Sequence, residues 1–298
     1  MTDLAVATFD LSKRYGRKTA VDGLRLEVPR GAVYGFLGRN GAGKTTTIQM
    51  LMGLLAPASG SAQVLGLDPL SDYVEVHRRV TYMPEEPALY EWMRISEILW
   101  FASRLWNTWD HALAGELLER FELSPRDHIR NLSRGMKGKV ALTLALAPRP
   151  EVLLLDDPTS GLDALVRREF MEGIIGALSE TGTTVLFSSH IIQDVERIAD
   201  HIGIIEQGRL LVQAPLDELK QSMRRVTLTF EGSPPPIELE GILAREDISN
   251  ECSLVLKGHD EGKLRALEAL GAIEVTVQDV SLEDVFVAHV KPAKEAVS

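Results

Sequence analysis

Residues Gly38-Arg39-Asn40-Gly41-Ala42-Gly43-Lys44-Thr45 fit the pattern G-x-x-x-x-G-K-[ST]. The chemistry this spacing serves is the cradling of phosphates. Glycines allow successive backbone N–H groups to point at one anion. A helix opening at Lys44 presents its positive end to the same anion. Lys44 reaches the outer phosphates of a nucleotide, and the Thr45 hydroxyl sits on Mg²⁺. Thr46, the next residue, joins the candidate binding set. A second piece is the apolar run Glu151–Leu155 followed by Asp156 and Asp157. A buried strand ending in a carboxylate delivers that group beside a phosphate loop, where Asp156 can hold Mg²⁺ through water.

These residues need strands and helices to position them. The apolar run Ala32–Leu37, the glycine-rich turn and a helix from Lys44 to about Met52 give strand, loop and helix in the required order. Strands are also expected near Ala5–Leu11, Leu24–Val28 and Thr183–Phe187, with a helix from Leu165 to Leu178. Continuous apolar runs alternating with helices imply a parallel sheet covered on both faces. Ile95, Ile98, Leu99, Ala102, Leu105 and Trp106 recur at helical spacing, and Leu117, Leu118 and Phe121 continue a second helix. This region, about 86–148, reads as a helical insert in the α/β core.

Composition shifts near Lys220, and Ser233-Pro234-Pro235-Pro236 marks a turn or stiff connector. Beyond it come strands at Val226–Phe230, Ser253–Leu256 and Ile273–Val277, a helix at Lys263–Leu270, and a last helix capped by Ser281 and Asp284. The expected organisation is a catalytic domain over 1–220 and a small α+β domain over 221–298. The formal charge of −11 argues against a nucleic-acid partner. A single cysteine, Cys252, excludes an internal disulfide and fits a reducing compartment; it is expected as a small residue near a surface strand. Met1–Phe9 lacks a signal-peptide pattern. No apolar stretch approaches the roughly 20 residues of a spanning helix, so membrane contact is expected through a partner.

Further motifs carry a family resemblance. Leu132-Ser133-Arg134-Gly135-Met136 resembles the signature of the ATP-binding cassette (ABC) family. Pro158–Asp163 resembles its D-loop, Ser188-Ser189-His190 its switch histidine, Lys13-Arg14-Tyr15-Gly16 its adenine-stacking loop, and Tyr82-Met83-Pro84-Glu85 its Q-loop. The resemblance covers roughly residues 4–215, in the family's order. It implies a P-loop NTPase cassette with an N-terminal antiparallel β region. It implies ATP and Mg²⁺ as cofactors, with Tyr15 stacking on adenine, Glu85 and Asp156 at the metal, and Asp157 and His190 at the attacking water. Two cassettes of this family pair head to tail, so Ser133 and Gly135 would reach the γ-phosphate held by the partner chain.

The sequence departs from the family pattern at three places. Asp157 stands where Glu is usual, which implies slow hydrolysis because the carboxylate reaches less far. Glu85 stands in place of Gln, and Arg134 and Met136 replace the commoner Gly and Gln. Pro84-Glu85-Glu86, the 133–137 run and the tail Ser281–Phe286 resemble the exporter branch whose partners are type-2 permeases. The implied function is the ATP-hydrolysing subunit of a transporter. It would sit on the cytoplasmic face of the cell membrane through an integral permease, paired with an identical or different cassette. A non-transport cassette and an importer cassette are the alternatives. All four tryptophans fall in the insert, where the family's permease helix docks; Trp92 is the leading candidate for that contact, against ordinary core packing.

Overall fold

The structure, a computed structural model, describes residues 3–258 and 261–290, and the side chains of these except 177–181 and 261. It divides into two compact units, 1–210 and 211–298.

In chain order the first unit opens with β1 (Leu4–Tyr15), β2 (Lys18–Leu24), β3 (Glu27–Pro29) and β4 (Val33–Leu37). Next come α1 (Lys44–Leu51), β5 (Ser59–Val64), α2 (Tyr73–Arg79) and β6 (Val80–Met83). Helices α3 (Ile95–Ser103), α4 (His111–Arg120) and α5 (Arg134–Leu146) form the insert. The chain returns through β7 (Val152–Asp156), α6 (Ala164–Thr181), β8 (Thr184–Ser189), α7 (Ile192–Ile198) and β9 (His201–Glu206). Strand β10 (Arg209–Pro215) contains the division between the units.

Two sheets result. β1 pairs antiparallel with β2, β3 and β5. The other sheet has the order β10-β9-β4-β8-β7-β6, and its β9-β4-β8-β7-β6 neighbours pair in parallel. This is the expected α/β architecture. Every residue of β7 and of β8 is buried, as the Val/Leu-rich runs require of strands covered on both faces. Gly35 in β4 allows α7 to pack closely, since a Cβ there would overlap Val195. Ile95 and Ile98 turn inward on α3 as the helical spacing implies, but Leu105 lies beyond the helix end and is 69% exposed.

The second unit continues from the tail of β10 with α8 (Leu216–Gln221) and β11 (Met223–Thr229). It adds β12 (Ile242–Ile248), β13 (Glu251–Lys257), α9 (Glu261–Glu268), β14 (Glu274–Gln278) and α10 (Leu282–Val290). The antiparallel order is β12-β13-β11-β14. Val226, Leu228, Leu254 and Leu256 are fully buried in its core. Cys252 belongs to the same core, not to the surface. Burial pushes its thiol up to about 12. The cap of α10 is reciprocal: Asp284 N–H donates to Ser281 Oγ (3.1 Å) and Ser281 N–H to Asp284 Oδ2 (2.9 Å). Among the described residues no helix is long and apolar enough to cross a membrane.

Candidate active site

The strands β4, β8, β7 and β6 are neighbours, and each sends a chemically equipped loop from its C-terminal end. Ligands of open α/β sheets gather at such ends. From β4 comes the glycine-rich turn. Gly41 (φ +81°) and Gly43 (φ +113°) adopt left-handed backbone, which residues with a Cβ rarely enter. Gly43 precedes α1 with no side-chain cap, so the first N–H groups of the helix are left for an outside acceptor. Lys44 is buried, and its Nζ donates to the carbonyls of Gly38 (2.8 Å) and Arg39 (3.3 Å). Burial lowers its pKa, while Asp157, Asp156, Glu85 and Glu206 act to raise it.

From β7 come the two carboxylates. Asp156 Oδ1 accepts from Thr45 Oγ1 (3.1 Å) and from Ser188 Oγ (2.8 Å). Burial raises the pKa of Asp156 against those two hydrogen bonds. Asp157 follows at φ +45°, a left-handed conformation that Asp tolerates better than most residues. Its N–H donates to Ser188 Oγ (2.9 Å), and its Oδ2 meets His190 Nδ1 at 2.6 Å. Its Oδ1 is buried with no hydrogen-bond partner. From β8 comes His190, whose side chain stays 35% exposed.

A cavity of about 280 Å³ opens beside this arrangement, with Asp157 but not Asp156 or His190 in its wall. Its lining includes Tyr15, Asn40, Lys44, Thr45, Glu85 and Asp157. Gly41, Gly43 and Thr46 line it as well, and so do Lys18 and Ala20, two residues that carried no sequence signal. Gly38, Arg39 and Ala42 support the loop from outside that lining. Tyr15 is half exposed, with Lys13 Nζ 5.7 Å from its ring centre. Ser133 and Gly135 lie elsewhere, at the start of α5. Ser133 is the helix N-cap, accepting from Met136 N–H at 3.2 Å.

The oxygens of Thr45, Asp156 and Glu85 suit a hard divalent cation that keeps several waters and phosphate ligands. Among the described residues no set of three or more His, Cys, Asp and Glu side chains forms a metal cage. The oxygens present fit a metal that arrives with phosphates.

A separate cavity of about 470 Å³ adjoins the Q-loop region, with Met83, Pro84, Leu89, Trp106 and Leu144 in its walls. Trp92 is not in that lining; it is 68% exposed and stands 6.1 Å from Tyr90, ring centre to ring centre. Trp100 is exposed too, so neither is a core residue of the insert.

Sequence reasoning missed Ser188 as the bridge between the Asp156 carboxylate and the Asp157 backbone N–H. Its position two residues before His190 was the available signal. It also missed the hydrogen bond from Thr159 Oγ1 to Asp194 Oδ2 (2.6 Å), which joins residues 35 positions apart.

Comparison with known proteins agrees with this geometry. The family model described as ABC transporter matches residues 21–160. The bacitracin transport ATP-binding protein BcrA of Bacillus licheniformis is 34% identical, over 95% of this chain and 96% of its own. The daunorubicin resistance ATP-binding protein DrrA3 of Streptomyces coeruleorubidus is 39% identical, over 74% of this chain and 71% of its own. A solved ATP-binding subunit of an ABC transporter, 30% identical, superposes with a TM-score of 0.65 over 73% of this chain and 92% of its own. The chain belongs to the family of ABC transporter ATP-binding subunits.

Proposed function

We propose that this chain binds ATP with Mg²⁺ over the 38–46 loop, hydrolyses it, and uses the cycle to drive an export permease. Lys44 neutralises the outer phosphates, and Thr45 and Asp156, with Glu85, would hold the metal, which would supply positive charge against the phosphates. Tyr15 stacks on adenine. Asp157 takes a proton from the attacking water, the water oxygen bonds to the γ-phosphorus, and the bond to the bridging oxygen breaks, giving ADP and phosphate. His190 orients Asp157 and the γ-phosphate. The observation that carries this reading is the 2.6 Å contact of His190 with Asp157, which lines the same cavity as Lys44 and Thr45. Hydrolysis is slow because Asp157 is one methylene shorter than the usual Glu.

A second cassette, identical or different, docks head to tail, so that Ser133 and Gly135 face the partner's nucleotide. ATP then shifts the pair toward closure because it binds the closed state better. The apolar cavity at Met83, Leu89 and Trp106 takes a cytoplasmic segment of the permease, which keeps the chain on the inner face of the membrane. The names of relatives that serve bacitracin transport and daunorubicin resistance support export.

Two measurements test this. The full chain should release phosphate from ATP, with loss of turnover in Lys44→Ala and a reduced but measurable turnover in His190→Ala. A tagged pull-down from gently solubilised membranes should recover a polytopic membrane protein. Only soluble partners, with none of the chain in the membrane fraction, would remove the transport reading.

A further inference from the structure

The loop after Asp157 is hydrogen-bonded near its start to one buried carboxylate outside the cavity lining, and a charge just past its end pairs with the same carboxylate. Thr159, fully buried near the start of the loop, donates to Asp194 Oδ2 at 2.6 Å. Arg167 lies in the first turns of α6, just past the end of the loop, and its Nη1 is 3.8 Å from the other oxygen, Asp194 Oδ1. Asp194 is itself buried. It sits near the start of α7, four residues after His190. That helix is rigidly seated, with Val195 fully buried against the glycine gap at Gly35.

Inside the loop the bonds are short-range: Ser160 N–H to the Asp157 carbonyl (3.0 Å) and Leu162 N–H to the Thr159 carbonyl (3.2 Å). These shape the turn but do not place it relative to β8. The backbone at the start of the loop is set on β8 by Asp157 N–H, which donates to Ser188 Oγ (2.9 Å); two side-chain cross-links then tie the loop to the segment after β8. One is exposed to the reaction: Asp157 to His190. The other joins buried Thr159 and partly buried Arg167 to Asp194. The two run side by side between the same two segments, 157–167 and 190–194. A displacement of one segment along the other must therefore stretch both.

We propose that Asp194 is a positioning residue that, through Thr159 and Arg167, holds the 158–163 loop against α7 and so fixes the separation of Asp157 and His190. The inference deepens the ATPase reading above and rests on it. Its distinctive consequence is that the buried cross-link matters to turnover only through His190. Loss of the Thr159 hydroxyl loosens the Asp157–His190 geometry without touching phosphate or adenine.

The experiment is a mutant cycle on the full chain, read as phosphate release over a range of ATP concentrations. Thr159→Val, which keeps the shape and removes the donor, is expected to lower kcat about tenfold, a loss in scale with sub-ångström misplacement of a reacting group. The KM for ATP should stay within about twofold, since no nucleotide contact is removed. Thr159→Ser should restore kcat. In a His190→Ala background the same Thr159→Val change should cost little further. An unchanged kcat in Thr159→Val overturns the inference. So does an equal loss in both backgrounds, which marks a merely structural bond. A wild-type chain that hydrolyses no ATP overturns the ATPase reading instead, and the inference with it.

Discussion

Asp157→Glu restores the side chain usual at this position, and its effect can be worked from the surroundings of Asp157. The Asp157 backbone is pinned, because its N–H is bonded to the buried hydroxyl of Ser188. The added methylene must therefore extend the carboxylate outward into the cavity it already lines. An advance of about 1 Å toward the attacking water is worth up to about 10²-fold, or about 2.7 kcal/mol of barrier. The contact with His190 Nδ1 opposes this gain, since it is set at 2.6 Å for the shorter side chain. Loosening a hydrogen bond to a charged group costs about 1.5 kcal/mol at the low end of its range. His190 is partly exposed and free to follow, so the low end applies. The remainder, roughly 1.2 kcal/mol, raises kcat about five- to tenfold. Steady-state phosphate release at saturating ATP, with nucleotide affinity measured separately, is the assay. A kcat equal to or below that of the wild type, with affinity unchanged, would refute the reasoning that reach limits this site.

Two further outcomes follow from the carboxylate pair. Burial lifts the folded pKa of Asp156 above its ordinary value of 3.8, so folding disfavours the charged form. Its contribution to stability is therefore greatest below that value and is lost as pH rises through the folded pKa. Asp156→Asn keeps an acceptor for Thr45 and Ser188 but never ionises. Without nucleotide it should melt higher than wild type at neutral pH and lose this pH dependence; a lower melting temperature refutes the account. Ser188→Ala removes the fully buried hydroxyl that serves both Asp157 N–H and Asp156 Oδ1. It should destabilise the chain by about 2 kcal/mol, because two buried groups lose a partner. An unchanged thermal melt would show that they find other partners.

What the sequence revealed and what it hid differ in range. The 38–45 loop was legible because its glycines, lysine and following helix are consecutive, and local sequence dictates local backbone. The strand β7 was legible because a fully buried parallel strand must be a continuous apolar run. Strand β12 left no such trace. It lies at a sheet edge, and Ile242–Ile248 carries Arg245, Glu246 and Asp247 with no fully buried residue. Cys252 looked like a surface residue because a single small side chain carries no periodicity; its burial follows from its register opposite Leu228 on β11. Trp92 was singled out by sequence proximity to the Q-loop and is exposed, whereas Trp106 lines the neighbouring cavity, a difference of direction that chain position does not set. The bonds from Ser188 to Asp156 and from Thr159 to Asp194 join different strand–helix units, and only the fold brings those units together.

The charge around Lys44 explains why the loop and the carboxylates must be read as one device. Asp156, Asp157, Glu85 and Glu206 all act on this one ammonium group. Four acids near one cation make a poor site for a bare polyphosphate, since like charges in a partly desolvated cavity repel strongly. The same acids favour a nucleotide that brings its own divalent cation. Lys44 meanwhile spends its hydrogen bonds on the carbonyls of Gly38 and Arg39. Exchanging those neutral acceptors for phosphate oxygens is favourable, because hydrogen bonds between charged groups are roughly twice as strong. The phosphate loop alone would bind many anions; on the proposed reading the carboxylates of β7 beside it would favour a metal-bound nucleotide, held where Asp157 and His190 can act.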